Sequence, residues 1–88
     1  MPKKQKTDIE QFVINKVKEI RIDKGFSQED IALALNFTRG FIGQIESHKH
    51  PAKYNLNHLN ILAKEFKCSP KDFFPEKPIS EPRKVKGK

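Results

Sequence analysis

Only one cysteine, Cys68, occurs in the 88 residues, so no disulfide can close within the chain. A lone thiol suits a reducing compartment, and the cytoplasm is the expected location. Nowhere do about 18 apolar residues follow one another, which argues against a membrane-spanning helix. The charged start, Met1-Pro2-Lys3-Lys4-Gln5-Lys6, leads into no apolar stretch, so no secretory signal is expected. Neither the alternation of a half-buried strand nor an internal repeat is found. The ingredients of catalysis are missing too. There is no glycine-rich phosphate loop, no pair of carboxylates in a plausible cleft and no Cys–His couple with an orienting partner, so no enzyme is expected. His48, His50, His58 and Cys68 match no zinc finger or ribbon spacing, and no metal or cofactor is expected.

What is present is basic charge, unevenly spread. The formal net charge is +7. Residues 1–6 hold Lys3, Lys4 and Lys6, and residues 75–88 hold five basic against two acidic residues. Between them, residues 7–74 carry ten basic and nine acidic groups and are nearly neutral. Two basic tails around a neutral core attract a polyanion such as nucleic acid, or merely keep the chain soluble.

Inside the core the apolar residues recur at helical steps. Thr7 and Glu10 are spaced as a capping box ahead of Ile9, Phe12, Val13, Val17 and Ile20, and Gly25 suits a left-handed stop. This predicts a helix over 8–24. Ser27 and Asp30 repeat the cap ahead of Ile31, Ala32 and Leu35, predicting a helix over 28–35. Asn36 tolerates positive φ, Phe37 is expected to be buried, and Thr38 caps a third helix whose inward side is Ile42 and Ile45, over 38–47. A loop with Pro51 follows, then Leu56, Leu59, Leu62, Ala63 and Phe66 predict a helix over 56–66. Ser69-Pro70-Lys71-Asp72 opens a short fifth helix over 70–74, where Pro70 falls in the first turn. The reading is all-α with five helices: a domain over 8–74, a flexible basic arm over 1–7 and a disordered Pro/Lys-rich tail over 75–88.

Helices two and three are separated by only about three residues, which forces a steep crossing and projects the third helix outward, as in a helix-turn-helix. Ala32 is small where two helices must approach closely. Caps, turn and small residue agree, and that agreement carries more weight than any one of them.

Residues 20–74 resemble the helix-turn-helix domain of the XRE family, the phage repressor and Cro type. The stretch Ile20 to Ala32 is similar to that family's opening signature, Ile42-Gly43-Gln44-Ile45-Glu46 to the end of its recognition helix, and Cys68 to Phe74 to its closing helix. The resemblance implies a repressor-like five-helix domain that reads the major groove of a double-stranded DNA operator as a homodimer. Gln28 would then meet a phosphate beside the N-terminal amides of its helix. Thr38 would cap and touch the backbone. Arg39, Gly40, Phe41, Gly43 and Gln44 would face the groove, where arginine pairs with guanine and glutamine with adenine, and Ser47, at the end of the helix, would be a further DNA contact. Lys49 and Lys53 would reach phosphates, while Lys3, Lys4 and Lys6 would lie along the duplex as an arm. Glu46 is expected to pair inside the domain, with Arg21 as its partner. His48 stands where the family often has glycine, so a distorted cap is expected there.

A rival reading keeps the fold as a protein-interaction or antitoxin-like module without base reading. Gly40 and Gly43 inside the reading helix each cost about 1 kcal/mol against alanine. They either let the backbone approach the groove or mark a helix that reads nothing. Residues 27–46 also hold Glu29, Asp30 and Glu46 against Arg39 alone, a net of −2. Phe41 is open between groove contact, protein interface and core edge. Phe73 and Phe74, with Ile79, either form a dimer surface or seal the core.

Overall fold

The computed structural model describes residues 5–80. Four α-helices, α1 (Asp8–Asp23), α2 (Gln28–Leu35), α3 (Arg39–Glu46) and α4 (Leu56–Phe66), are followed by a 3-10 helix over Pro70–Phe73. Among the described residues there is no strand. The fifth segment is thus a 3-10 turn of four residues and not a fifth α-helix. Its cap, Ser69, and the extended residue Phe74 leave too little chain for the wider α spiral. The reading helix is one residue shorter at each end than expected, with Thr38 and Ser47 as its two caps.

The starts are fixed by short polar side chains. Thr7 Oγ1 accepts the Glu10 amide at 3.2 Å, while Glu10 Oε1 accepts the Thr7 amide at 2.9 Å. Ser27 with Asp30 and Ser69 with Asp72 make the same reciprocal pair. Asn55 makes a fourth with His58, whose Nδ1 accepts the Asn55 amide at 3.0 Å.

Three of the four helices stop alike. Gly25 (φ +81°), Asn36 (φ +61°) and Lys67 (φ +58°) turn left-handed. In each case the next residue's amide reaches back to the helix: Phe26 to the Arg21 carbonyl, Phe37 to Ala32 and Cys68 to Ala63, at 2.8–3.0 Å. Helix α3 ends differently. Ser47 is extended (φ −87°, ψ 130°), which agrees with the distortion expected at His48.

The core gathers Val13, Ile14 and Val17 of α1, Ile31, Ala32 and Leu35 of α2, Ile42 and Ile45 of α3, and Leu59, Leu62, Ala63 and Phe66 of α4. Phe73 closes it with no exposed surface. Tyr54, from a segment that reads as loop, is buried too. Leu56, expected on the inner face of α4, is 77% exposed: it is the first residue of the helix, at the open end of the apolar stripe. Met1–Lys4 and residues 81–88 lie outside the described residues, and with them Lys3, Lys4 and most of the basic tail.

Candidate nucleic-acid interface

Asn36, Phe37 and Thr38 alone join α2 to α3, so the pair forms a helix-turn-helix. Its placement depends on one buried cation. Arg21 of α1 is 8% exposed, and its guanidinium donates through Nε to Glu46 Oε2 at 3.0 Å, through Nη2 to Glu46 Oε1 at 3.2 Å and through Nη1 to the Phe26 carbonyl at 2.9 Å. A two-pronged arginine–carboxylate contact fixes angle as well as distance. Gln28 adds an amide donor to Glu46 Oε1 at 2.9 Å. One carboxylate therefore ties the last residue of α3 to α1 and to the first residue of α2. The pairing of Glu46 with Arg21 agrees with the sequence reading. Gln28, in contrast, is turned to Glu46 rather than outward to a phosphate.

With Ile42 and Ile45 buried, the opposite side of α3 is fixed by geometry. At about 100° per residue, Arg39, Gly43, Gly40 and Gln44 span an arc of about 140° centred opposite the buried pair. Arg39, Gly40 and Gln44 are exposed. The Arg39 and Gln44 side chains make no hydrogen bond or ion pair among the described residues. The two glycines form the crest between them. A methyl group at Gly43 would meet nothing within 4 Å, and one at Gly40 only Thr38 Oγ1 at 4.0 Å. Nothing inside the domain requires either glycine.

Phe41 lies nearer the buried side. Its ring stands edge-on to Phe37 at 4.8 Å, and Phe37 meets the His58 ring at 4.9 Å. Phe41 is half-buried at the edge of the core, the third of the roles left open for it. Thr38 is exposed and accepts the Phe41 amide at 3.1 Å, so it caps α3 as expected.

Part of the acidity read from residues 27–46 is matched on folding. Glu46 is matched by Arg21, and Asp30 is turned to the Ser27 amide at 2.8 Å. Glu29, Asp30 and Arg39 are exposed.

Shape and site together point to one kind of protein. The fold is similar to that of a restriction-modification controller. Superposition on the crystal structure of the restriction-modification controller protein C.AhdI from Aeromonas hydrophila gives a TM-score of 0.62 at 27% identity, over 76% of this chain and 97% of that one. No protein-family model and no curated protein sequence matches the chain. C.AhdI is thus covered almost whole, and about a quarter of the present chain lies outside the shared part. No described helix is long and apolar enough to cross a membrane.

After α3 comes the 47–53 segment. Ser47 is half-buried, and its Oγ accepts the Lys49 amide at 3.1 Å. The Lys49 side chain is exposed, whereas Lys53 pairs with Glu10 Oε2 at 2.6 Å. Burial pushes the Glu10 carboxyl up, but the hydrogen bonds from Lys53 and Thr7 outweigh it and leave Glu10 below the usual carboxylate range. Lys6, expected in the flexible arm, is 5% exposed and donates from Nζ to the Ser47 and His50 carbonyls. Burial lowers the Lys6 pKa, Glu10 opposes that and Lys53 adds to it. No local spacing announces this contact, since the partners lie 41 and 44 positions away.

Proposed function

We propose that this chain is a sequence-specific, double-stranded DNA-binding transcription regulator without enzymatic activity. It inserts α3 into the major groove. The observation that carries the reading is the outward arc of α3, where Arg39 and Gln44, both without a partner among the described residues, flank a crest of bare backbone. Arginine and glutamine present paired donors and acceptors that suit the edges of guanine and adenine. Gly40 and Gly43 let the helix axis sit deeper between them. Similarity to a restriction-modification controller supports a regulatory role, and repression is the proposed output.

A homodimer is part of the proposal. An apolar cleft of about 340 Å³ is lined by Ile9, Val13, Leu56, Leu59 and Phe74, and Leu56 stands 77% exposed in its wall. A knob next to a hollow on one surface is what a two-fold interface needs, because each copy offers both halves. Two reading helices would then address half-sites about 34 Å apart.

The test is selection of binding sites from a random duplex library at about 150 mM salt, near physiological screening. An enriched palindrome is expected, and Arg39→Ala should lose about 1–3 kcal/mol at one base position of it. No enrichment, with binding that collapses as salt rises, would leave only non-specific attraction through the tails and sink the proposal.

A further inference from the structure

Helix α3 has eight residues, and the last four carbonyls of any helix lack intrahelical donors. The other three helices meet this need with a left-handed residue and a pair of reversed amides. Helix α3 has no left-handed residue at its end and no basic residue in its last turn. Among the described residues, the backbone bonds that close it are Ser47 to the Gln44 carbonyl at 3.2 Å and, beyond it, His50 to the Ser47 carbonyl at 3.4 Å. A third donor comes from far away. The Lys6 ammonium is bound to the Ser47 and His50 carbonyls and is almost wholly enclosed.

We propose that Lys6 is the C-terminal cap of α3, delivered from the segment ahead of α1, and thereby the positioning residue of the Ser47–His50 turn that presents Lys49. Two of its three ammonium donors hold the two ends of that turn. Its positive charge also sits at the negative end of the α3 dipole. Lys6 directly precedes Thr7, whose capping box fixes where α1 begins, so the ammonium takes its place from that box. Glu10 of the same box holds Lys53. The start of α1 thus grips both ends of the 47–53 segment, one end by a cation and the other by an anion. In this arrangement Lys6 is not a phosphate contact. It acts on DNA binding only through the turn, and that consequence rests on the function proposed above, whereas the cap itself does not.

Two measurements on the full chain separate these levels. In the unsubstituted protein the Lys6 ammonium protons should exchange slowly enough with water to give a distinct 1H–15N signal. Without such a signal the ammonium is free, and the cap is refuted even if every variant fails to fold. Lys6→Met keeps the apolar stem and removes the donor. Amide exchange at Lys49 and His50 should then speed up by about tenfold, with amides of Leu62 and Phe66 unchanged. Lys6→Arg should restore much of the protection. Operator affinity of Lys6→Met should fall at every salt concentration with an unaltered salt slope. A slope lower by about 1 marks a direct phosphate contact and overturns the positioning role. Unchanged exchange at Lys49 and His50 overturns the cap. A chain that binds no DNA but shows the exchange pattern keeps the cap and loses only the proposed function.

Discussion

Replacing Glu46 with alanine should be among the most damaging single changes to this domain. The side chains of Arg21 and Glu46 are 10% and 4% exposed, so neither charge is well screened by water. With Glu46 truncated, Arg21 keeps only the Phe26 carbonyl and Gln28 loses its acceptor. Removing one member of a buried pair typically costs about 3–5 kcal/mol, because the other charge is left uncompensated. A domain of this size has about 5–15 kcal/mol in total, and each kcal/mol moves Tm by about 4–8 °C. A fall of at least about 12 °C is therefore expected, together with loss of the α3 orientation. Urea unfolding followed by far-ultraviolet circular dichroism gives the number, provided the slope with denaturant is unchanged. A double-mutant cycle with Arg21→Met isolates the pair: the double variant should be less damaged than the sum of the two singles by at least about 1.5 kcal/mol. If Glu46→Ala costs under about 1 kcal/mol, the range of exposed ion pairs, the clamp is not what holds α3 and the reasoning fails.

Three further outcomes follow from the same geometry. Gly40→Ala and Gly43→Ala should each raise stability by about 1 kcal/mol, since the added methyl groups meet open space. They should weaken operator binding, and a gain in stability with undiminished affinity would show that the bare crest has no part in reading. Tyr54→Phe should be neutral or stabilising by up to about 1–2 kcal/mol, because the buried hydroxyl has no hydrogen-bond partner among the described residues. A loss above about 1 kcal/mol on thermal unfolding would contradict that. The lowered Glu10 pKa gives stability that is complete above the ordinary carboxylate range and is lost as pH falls through the folded value. Glu10→Gln should accordingly flatten the acid limb of a pH–stability profile, and identical profiles for the two proteins would rule the contribution out.

The parts of the fold that were legible are those written locally. Thr7, Ser27, Thr38 and Ser69 announce helix starts because a short side-chain oxygen three residues ahead of an amide is a local device. Gly25 and Asn36 announce stops because they accept positive φ. Lys67 takes the same left-handed turn and was not legible, since a lysine there is strained by its Cβ and is held by the Cys68 amide and the packing of α4. The Asn55–His58 box was hidden for a related reason: histidine replaces the glutamate or glutamine of the usual pattern. Within the candidate site, the resemblance implies Arg39, Gly40, Phe41, Gly43 and Gln44 as outward positions, and helical period with Ile42 and Ile45 buried agrees for all but Phe41, which packs at the edge of the core. Gln28, Lys53 and Lys6 were not legible in that way. Each is a long polar side chain whose direction is set by a partner 18 to 44 positions away, and helical periodicity carries no information about such partners.

The division of α3 into two sides also bears on how such a protein can change. Among the described residues nothing else leans on Arg39, Gly40, Gly43 or Gln44, whereas Phe41, Ile42, Ile45, Glu46 and Ser47 are all held by neighbours. Four positions are therefore open to substitution without disturbing the scaffold, and the rest of the same short helix is closed. Target preference can diverge between descendants of this chain while their folded cores stay interchangeable, so kinship would persist in the buried residues after the exposed ones had lost all likeness.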